Sequence, residues 1–498
     1  MKNLFNIFLC FANIFLCLAL IVSCERTEPP GGLLPNPEPP AEEQPPVDEP
    51  PVDETPAITQ INHPGLMYVW DESVIPEITV HITKDEWNAL LKRYDEDDHN
   101  VDYFHADFTY KKGDDVFFIE DGGLRLRGNT SRRRPEGKKG QMHQTDKADW
   151  QHCHFGINFR KFHKDDAHTI NGIRKVNLKW FKDDPCYVRE LYCYDLYRRY
   201  GIWTAAHDIY CRLWIHVEGD SKPAYYGVYE MIEPVDDKFV EKRVTNMFGS
   251  KNGNLWKCGW SNMGAFLDSV DAKFGLDEDT GENFTYEYKG DEGDYEAAVD
   301  QLKDFILKLN GKSDESFYQW IKEVCDVELL LKTYAVNVAV GMWDDHWNNG
   351  NNFYMYFNSY DKYNYKFFLI PYDYDNSLGT TANCGAQNDA GRHDPYNWGD
   401  KGVLMKRLMK HQEFRDIYKN ALHELIDPAN GLFDMDASVA RIEAWQAKIR
   451  EYVPNDTGED IAIHDMPASW STHREYRLMD KGKDNFFAVK AEVIRNMK

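Results

Sequence analysis

The stretch WDDHWNNGNN, residues 343–352, carries two Asp, four Asn and one His in ten positions. It follows a continuously apolar segment, DVELLLKTYAVNVAVGM (326–342), which predicts a buried helix. It precedes NNFYMYFN (351–358), whose alternating pattern predicts a strand. A solvated loop accounts for this polarity, but a site that holds a metal ion and a hydroxyl group requires it.

The next segment completes a predicted hairpin. YKFFLIPYDYDNSLG (365–379) indicates a second strand that runs into Asp373 and Asp375. These two residues point to the same face if the strand continues, because side chains alternate along a strand. An antiparallel hairpin also brings its entrance and its exit together. We therefore expect one polar cluster, made of Asp344, Asp345, Asn352, Asp373 and Asp375.

Such a cluster suits phosphoryl transfer. Carboxylates and an amide oxygen are hard ligands for Mg²⁺ or Mn²⁺. Acids this close repel one another, so the cluster itself predicts a cation. In phosphoryl transfer one acid accepts the proton of the attacking hydroxyl, while another acid and an Asn hold the metal. A solvated acidic loop or a structural Ca²⁺ site is the alternative interpretation of these acids.

A basic segment, LRLRGNTSRRRPEGKK (124–139), contrasts with the net charge of −25. Alternation places Arg125 and Arg127 on one face of a strand. The turn that follows exposes backbone N–H groups at small residues such as Asn129 and Ser131. Together with Arg127 these groups suit a phosphate or another anion. The alternative is that the arginines pair with surface carboxylates elsewhere.

Two elements further along the chain carry a Lys and a Glu. The strand pattern of NGIRKVNLKW (171–180) puts Lys179 on its polar face, where a lysine can bridge two phosphate groups or simply be exposed. YVRELYCYDLYRRYG (187–201) predicts a helix that ends at a glycine. Its Glu190 can pair with the strand lysine or stabilise the helix N-terminus through the dipole.

The pattern changes along the chain from strands to helices. Residues 58–240 are rich in predicted strands, including 208–219 and 224–236, and Glu230 lies in the latter. Residues 241–498 are richer in predicted helices and carry the hairpin with the acids. We therefore expect an α+β protein with a sheet-rich N-terminal lobe and a helix-rich C-terminal lobe.

The N-terminal residues predict export. Residues 1–23 form a signal with an apolar run and small residues before Cys24, which resembles a lipoprotein signal with lipid on that cysteine. A plain transmembrane anchor is the alternative. Residues 24–57 contain half of the 22 prolines and predict a disordered tether. We expect the protein to lie outside the cytoplasm, attached to a bacterial membrane through lipid on Cys24.

The composition limits the other classes of function. The net charge of −25 argues against nucleic-acid binding. The seven cysteines after Cys24 show no CxxC spacing, so a zinc site is not expected and disulfides are not required. With 29 Tyr and 14 Trp, a non-catalytic surface module that binds glycans or a protein partner is the alternative to an enzyme.

Several motifs together resemble the CotH kinase family. They occur in family order as GLRLRGNTSR, NLKW, RELY, GVYEMIEPVDDKF, NNFYMYF and IPYDYD, between about residue 75 and residue 410. The resemblance implies a two-lobed, much altered protein-kinase fold. It also implies transfer of phosphate from ATP, with Mg²⁺, to Ser or Thr of proteins. Combined with the export signal, the substrates would be surface or secreted proteins.

The resemblance also implies roles for individual residues. Lys179 would be the phosphate-binding lysine, paired with Glu190, and Glu230 would mark the connection between the lobes. Asp345 would be the catalytic acid, or Asp344 if the register slips by one. Asn352 and Asp373 would bind metal, with Asp375 in support. The loop before Asn352 is longer than the family spacing, so the alternatives for the Asn are Asn348, Asn349 and Asn351.

Overall fold

The computed structural model describes residues 63–276, 282–382 and 389–497, which all belong to one compact unit. The predicted signal (1–23), the tether (24–57) and Cys24 lie outside the described residues. Among the helices of the described segments, none has both the length and the hydropathy that a bilayer span needs. The six cysteines in these segments are buried free thiols.

Twelve strands and eleven α-helices form in the described segments. The strands are β1 (Glu77–Ile82), β2 (Phe104–Lys112), β3 (Asp115–Arg127), β4 (His154–Asn158), β5 (Lys175–Lys179), β6 (Asp208–Val217), β7 (Ala224–Ile232), β8 (Asn254–Cys258), β9 (Phe274–Leu276), β10 (Tyr286–Tyr288), β11 (Phe353–Phe357) and β12 (Phe367–Pro371). The helices are α1 (Pro64–Val69), α2 (Lys84–Glu96), α3 (Arg189–Arg199), α4 (Asp237–Glu241), α5 (Tyr295–Gly311), α6 (Asp314–Val324), α7 (Val327–Ala339), α8 (Val403–Leu408), α9 (Gln412–Ile426), α10 (Met435–Ile449) and α11 (Phe486–Arg495).

The first seven strands close into a barrel in the order β1-β2-β3-β4-β5-β7-β6. The closing pair, β1 with β6, is parallel, and the other neighbours are antiparallel. Alternation decides which side chains enter the barrel, so Val176 and Leu178 of β5 are buried in its core while Lys179 faces outward. The outward face of this strand is where the candidate site forms.

The second sheet has the order β12-β11-β8-β10-β9. Its hairpin of β11 and β12 pairs Phe353 with Pro371, so the residues before β11 and after β12 lie at the same end. All five side chains of β11 are buried, because this strand lies inside the sheet and is covered on both faces. α7 leads into this hairpin and begins at Asp326, whose side chain accepts a hydrogen bond from the backbone N–H of Leu329.

Two hydrophobic cores result from this arrangement. One lies inside the barrel and includes residues of α1 and α2, such as Val69 and Trp87. The other joins α3, the second sheet and the later helices, and it reaches the outer face of the barrel at Tyr210 and Val228. The prediction of an α+β protein is confirmed. Five short strands follow residue 241, but helices α5 to α11 make up most of the regular structure in that part, and its division into lobes stays a prediction.

Candidate active site

Lys179 lies at the centre of the candidate site. Its ammonium group contacts one carboxylate oxygen of Glu190 and one of Asp373, and it lies 3.2 Å from an oxygen of Asp375. These three acids come from α3 and from the segment after β12, whereas Lys179 ends β5 of the barrel. One lysine thus joins the barrel to α3 and to the hairpin of the second sheet.

Glu190 is held in place by the start of α3. Asp184 accepts hydrogen bonds from the backbone N–H groups of Val188 and Arg189, both at 2.8 Å, and so caps the first turn. The carboxylate of Asp184 also pairs with the buried guanidinium of Arg189. The second carboxylate oxygen of Glu190 accepts from the backbone N–H of Tyr374 at 3.1 Å. Glu190 therefore connects Lys179 to the chain beyond β12.

Asp373 and Asn352 share an unusual backbone conformation. Their φ angles are +60° and +57°, in the left-handed region that residues other than glycine seldom adopt. Such conformations are costly and cluster at functional sites. The backbone N–H of Asp373 donates to the Tyr194 hydroxyl at 3.0 Å, which helps to fix this turn. Both residues lie at the end of the β11–β12 hairpin where the chain enters and leaves it.

The acids around Lys179 carry more negative charge than it neutralises. Burial raises the pKa of Glu190, against the opposing charge of Lys179. Burial also raises the pKa of Asp375 to about 8, and the neighbouring Asp373 and Glu190 add to this rise. At Asp373, burial is outweighed by Lys179 and Arg127, which hold its pKa below the usual range. The cluster therefore favours a further cation.

Asp344 faces this cluster from the polar loop. Its carboxylate accepts hydrogen bonds from the amides of Asn349, Asn351 and Asn352, the last two at 3.2 and 3.1 Å. Burial raises the pKa of Asp344, and the negative charge of Asp373 contributes to the shift. The Asn side chains thus orient Asp344 on the side of the loop that faces Asp373. Because the Asn352 nitrogen is used in this way, its amide oxygen remains as a ligand atom.

Asp345 points the other way, into the protein. It is 3% exposed and is bonded to the amide of Asn337 in α7 and, at 2.7 Å, to the backbone N–H of Asn348. Burial raises its pKa to about 7. Asn337 in turn accepts from the Tyr374 hydroxyl at 2.8 Å. The structure therefore places Asp345 behind the loop and leaves Asp344 on its accessible face.

The basic segment divides into two parts. Arg127 donates to the Tyr372 hydroxyl at 3.2 Å and so reaches the residue next to Asp373. Asn129 and Ser131 lie in the turn after β3, where the ammonium group of Lys182 approaches the backbone oxygen of Thr130 at 3.4 Å. Further along, Arg133 pairs with Glu459 at 3.0 Å and Arg134 pairs with Asp95 at 2.9 Å. These two arginines therefore pair with carboxylates from distant parts of the chain, which was the alternative to a phosphate-binding role.

Glu230 lies beside Lys179 on the neighbouring strand. The two residues pair directly across β5 and β7, so their side chains share one face of the barrel. Burial raises the pKa of Glu230 well above its usual range, and Glu190 and Asp208 add to this. Glu230 thus adds a protonatable carboxyl behind the lysine.

Sequence reasoning missed several side chains of this site. Lys257 of β8 lowers the pKa of Asp373 and lies next to the hairpin, paired in register with Tyr354. Nothing in the local pattern of NLWKC distinguishes this lysine. Asn337 had a signal, because a polar amide in the middle of an apolar helix requires a buried partner. The roles of Tyr194 and Tyr372 depend on tertiary contacts alone.

One family model matches the chain. Its description is CotH kinase protein, and it covers residues 124–478, which is well over half of the chain. The matched range includes the end of β3 with Arg127 and every later element that contributes to the cluster around Lys179. No curated protein matches the sequence.

Proposed function

The chain belongs to the CotH kinase family, and from this premise we propose that it transfers phosphate from ATP to Ser or Thr of proteins. The observation that carries the proposal is the contact of one lysine with an acid from a helix and an acid from a hairpin exit. A strand lysine paired with a helix glutamate, next to a metal-binding aspartate, is the arrangement that protein kinases use for phosphoryl transfer. Lys179, Glu190 and Asp373 supply these three parts.

The donor groups fit a divalent metal ion. Ligand oxygens of Glu190, Asp373 and Asp375 all lie within 4.8 Å of one another. They are hard oxygen ligands, and the amide oxygen of Asn352 is of the same kind, which suits Mg²⁺ or Mn²⁺. Asp373, Asp375 and Asn352 would hold the ion. When bound, it neutralises charge on the phosphate groups.

The remaining roles follow from position and charge. Lys179, fixed by Glu190, offers positive charge to the phosphate oxygens of the nucleotide, and Arg127 supports it from β3. Asp344, rather than the buried Asp345, accepts the proton of the acceptor hydroxyl. As that oxygen bonds to phosphorus, the bond from phosphorus to the ADP oxygen breaks, and the acceptor leaves as a phosphate monoester.

The fold and the location belong to the same proposal. The barrel with its own core would act as the N-terminal lobe, and the second sheet with the later helices as the C-terminal lobe. Lipid on Cys24 would hold the protein outside the cytoplasm on a bacterial membrane, where its substrates would be surface or secreted proteins. Support for the location comes from the signal-like N-terminus and the net charge of −25.

Nucleotide-dependent thermal stabilisation tests the proposal. MgATP at 100 times its dissociation constant stabilises the folded state by about 2.7 kcal/mol through mass action. We expect this shift in the native chain and its loss in Asp373→Ala. Asp300→Ala is the matched control, because Asp300 is an exposed residue of α5 that pairs with Lys362 on the surface.

Phosphate incorporation measures the reaction itself. The native chain should label itself or an added protein substrate from γ-labelled ATP, and Asp344→Asn should not. If millimolar nucleotide with Mg²⁺, Mn²⁺ or Ca²⁺ gives neither a shift nor labelling, the kinase proposal fails and the fold serves as a binding module.

A further inference from the structure

A second group of metal-ligating side chains lies at the loop between β4 and β5. His163, Asp165 and His168 each offer one ligand atom, and these atoms lie within 4.8 Å of one another. The two imidazole rings stack with centroids 4.3 Å apart and planes 8° from parallel. The carboxylate of Asp165 is 2.6 Å from Nδ1 of His168. Three side chains within six positions of one loop thus converge on one point.

Asp121 of β3 fixes the orientation of His163. Its Oδ2 lies 2.7 Å from Nε2 of His163, and its Oδ1 lies 2.5 Å from Nδ1 of His105. His105 also stacks on Phe162, with centroids 3.6 Å apart, and so holds the start of the loop. With Nε2 of His163 bonded to a carboxylate, Nδ1 remains as its ligand atom. A carboxylate behind an imidazole is the usual outer partner of a metal-bound histidine.

The charge and exposure of the group suit a cation that enters from solvent. The side chains of His163, Asp165 and His168 are 39%, 58% and 17% exposed. Asp165, the most exposed of the three, brings a carboxylate to the group. Asp121 adds a second negative charge next to the first histidine. Water can complete the coordination because the group is open on its solvent side.

The types of ligand identify the class of metal. Two imidazole nitrogens and one carboxylate oxygen are together a ligand set of intermediate softness. Such a set favours Zn²⁺ over the hard ions Mg²⁺ and Ca²⁺. The cysteine spacing predicted no zinc site, but it does not bear on ligands that are histidines and an aspartate. We propose that His163, His168 and Asp165 bind one Zn²⁺ ion, with Asp121 as the residue that positions His163. Zinc–nitrogen bonds of about 2.0 Å put tetrahedral ligand atoms about 3.4 Å apart. The ligand atoms lie within 4.8 Å of one another, so partly exposed side chains need to move by at most about 1.4 Å to reach this spacing.

The zinc site is separate from the candidate active site. In the barrel, Gly123 pairs with Asn158 at one end of β4, and Arg127 pairs with His154 at the other. The zinc loop follows Asn158, whereas Arg127 reaches the acids around Lys179. Asp121 and Arg127 are six positions apart on β3, which is at most about 20 Å at roughly 3.3 Å per residue. Bound zinc would fasten the β4–β5 loop to β3, whether or not the protein is a kinase.

Zinc titration of the full chain tests the proposal. The metal-free protein competes for Zn²⁺ with a chromophoric chelator, in excess Mg²⁺ to saturate the oxygen site near Lys179. We expect one bound equivalent, which the double variant His163→Ala/His168→Ala loses. Asp121→Asn should weaken binding about 10- to 100-fold, as loss of an outer carboxylate does elsewhere. His99→Ala, at an exposed histidine beside Asp98, should change nothing.

Co²⁺ in place of Zn²⁺ gives a second readout, since its visible absorption should lose intensity in the histidine variants. Far-UV circular dichroism and the thermal midpoint of each metal-free variant should match the native chain. Asp373→Ala should keep the zinc equivalent. The proposal is overturned if the double variant keeps native zinc affinity, or if Asp373→Ala and not the histidine variants loses the metal.

Discussion

Replacing Lys179 by Met removes the one positive charge that contacts three acids. Lys179 bonds directly to Glu190 and Asp373, and its ammonium is 3.2 Å from Asp375. Methionine keeps much of the side-chain volume but leaves these carboxylates facing one another. We expect a large loss of stability and, because the phosphate-binding charge is gone, loss of MgATP binding.

The size of the loss follows from the exposure of the partners. Removing one partner of a buried ion pair costs about 3–5 kcal/mol. Glu190 is 4% exposed and takes this full effect, whereas Asp373 and Asp375 are 36% and 35% exposed, so water screens part of their repulsion. We therefore expect Lys179→Met to lower the free energy of unfolding by about 3 kcal/mol at pH 7, at the low end of that range.

The loss of unfolding free energy in Lys179→Met should increase with pH. In the native protein Lys179 and Arg127 outweigh burial and hold the pKa of Asp373 below its usual range. A carboxyl with a lowered pKa stabilises the folded state above its unfolded pKa of about 3.9, and this contribution is lost as the pH falls. Without Lys179 the carboxyls take up protons in the folded state. The deficit of the variant should therefore be largest above pH 7 and shrink towards pH 4.

Equilibrium urea denaturation followed by tryptophan fluorescence at pH 5, 7 and 8 measures this deficit. Lys182→Met is the matched control, because Lys182 is a partly exposed lysine that lies 3.7 Å from Asp183. Exposed pairs contribute about 0–1 kcal/mol, so the control should stay near the native value. A Lys179→Met protein as stable as the control at every pH would refute the assignment of Lys179 as the charge that holds the cluster together.

Three further substitutions test the polar loop. Asp344→Asn should lower phosphate incorporation per folded protein by about 10²–10⁴-fold, the usual contribution of a general base. It should also lower the thermal midpoint, because its new amide faces the three Asn amides that now bond to the carboxylate. Asp345→Asn should lower the free energy of unfolding by about 1–3 kcal/mol in urea titrations, because its new amide group faces the amide and N–H donors that now bond to the carboxylate. Gly350→Ala should cost about 1–3 kcal/mol, because the residue has a φ of +65° and a Cβ would lie 2.7 Å from the backbone nitrogen of Ala265. Gly311→Ala, at the end of α5 where a Cβ meets no atom within 4 Å, should be neutral or slightly stabilising. Equal unfolding free energies for the two alanine variants would contradict the backbone argument, and equal labelling by the two asparagine variants would contradict the choice of Asp344.

Local elements near the site followed from the sequence. The apolar run 326–342 predicts the helix that the structure places at Val327–Ala339, and the alternating run 351–358 predicts the strand Phe353–Phe357. Periodicity is a local property, so it survives without knowledge of the fold. The family resemblance is confirmed by the match over residues 124–478. The secondary-structure predictions and the family resemblance both depend on short segments, and each segment can be recognised without knowing what it contacts.

Closure of the barrel did not follow from any pattern. It depends on the parallel pairing of β1 with β6, in which Glu77 lies opposite Arg212. The sequence also could not distinguish Asp344 from Asp345 as the proton acceptor, because the two residues are adjacent and chemically identical. Their difference arises from Asn337, which binds Asp345 inside the protein, and from the amides that turn Asp344 towards Asp373.

The sequence by itself determined the residue types of the site: a strand lysine, a helix glutamate, an Asp- and Asn-rich loop and a pair of aspartates after a strand. It did so because alternation and helical periodicity assign each residue to a face of its own element. The tertiary structure decided which faces meet. Lys179 joins Glu190 and Asp373 because the outer face of the barrel packs against α3 and the hairpin. Arg133 instead pairs with Glu459, which lies 326 positions further along the chain. Contacts over such separations depend on the packing of whole elements, which no local pattern records.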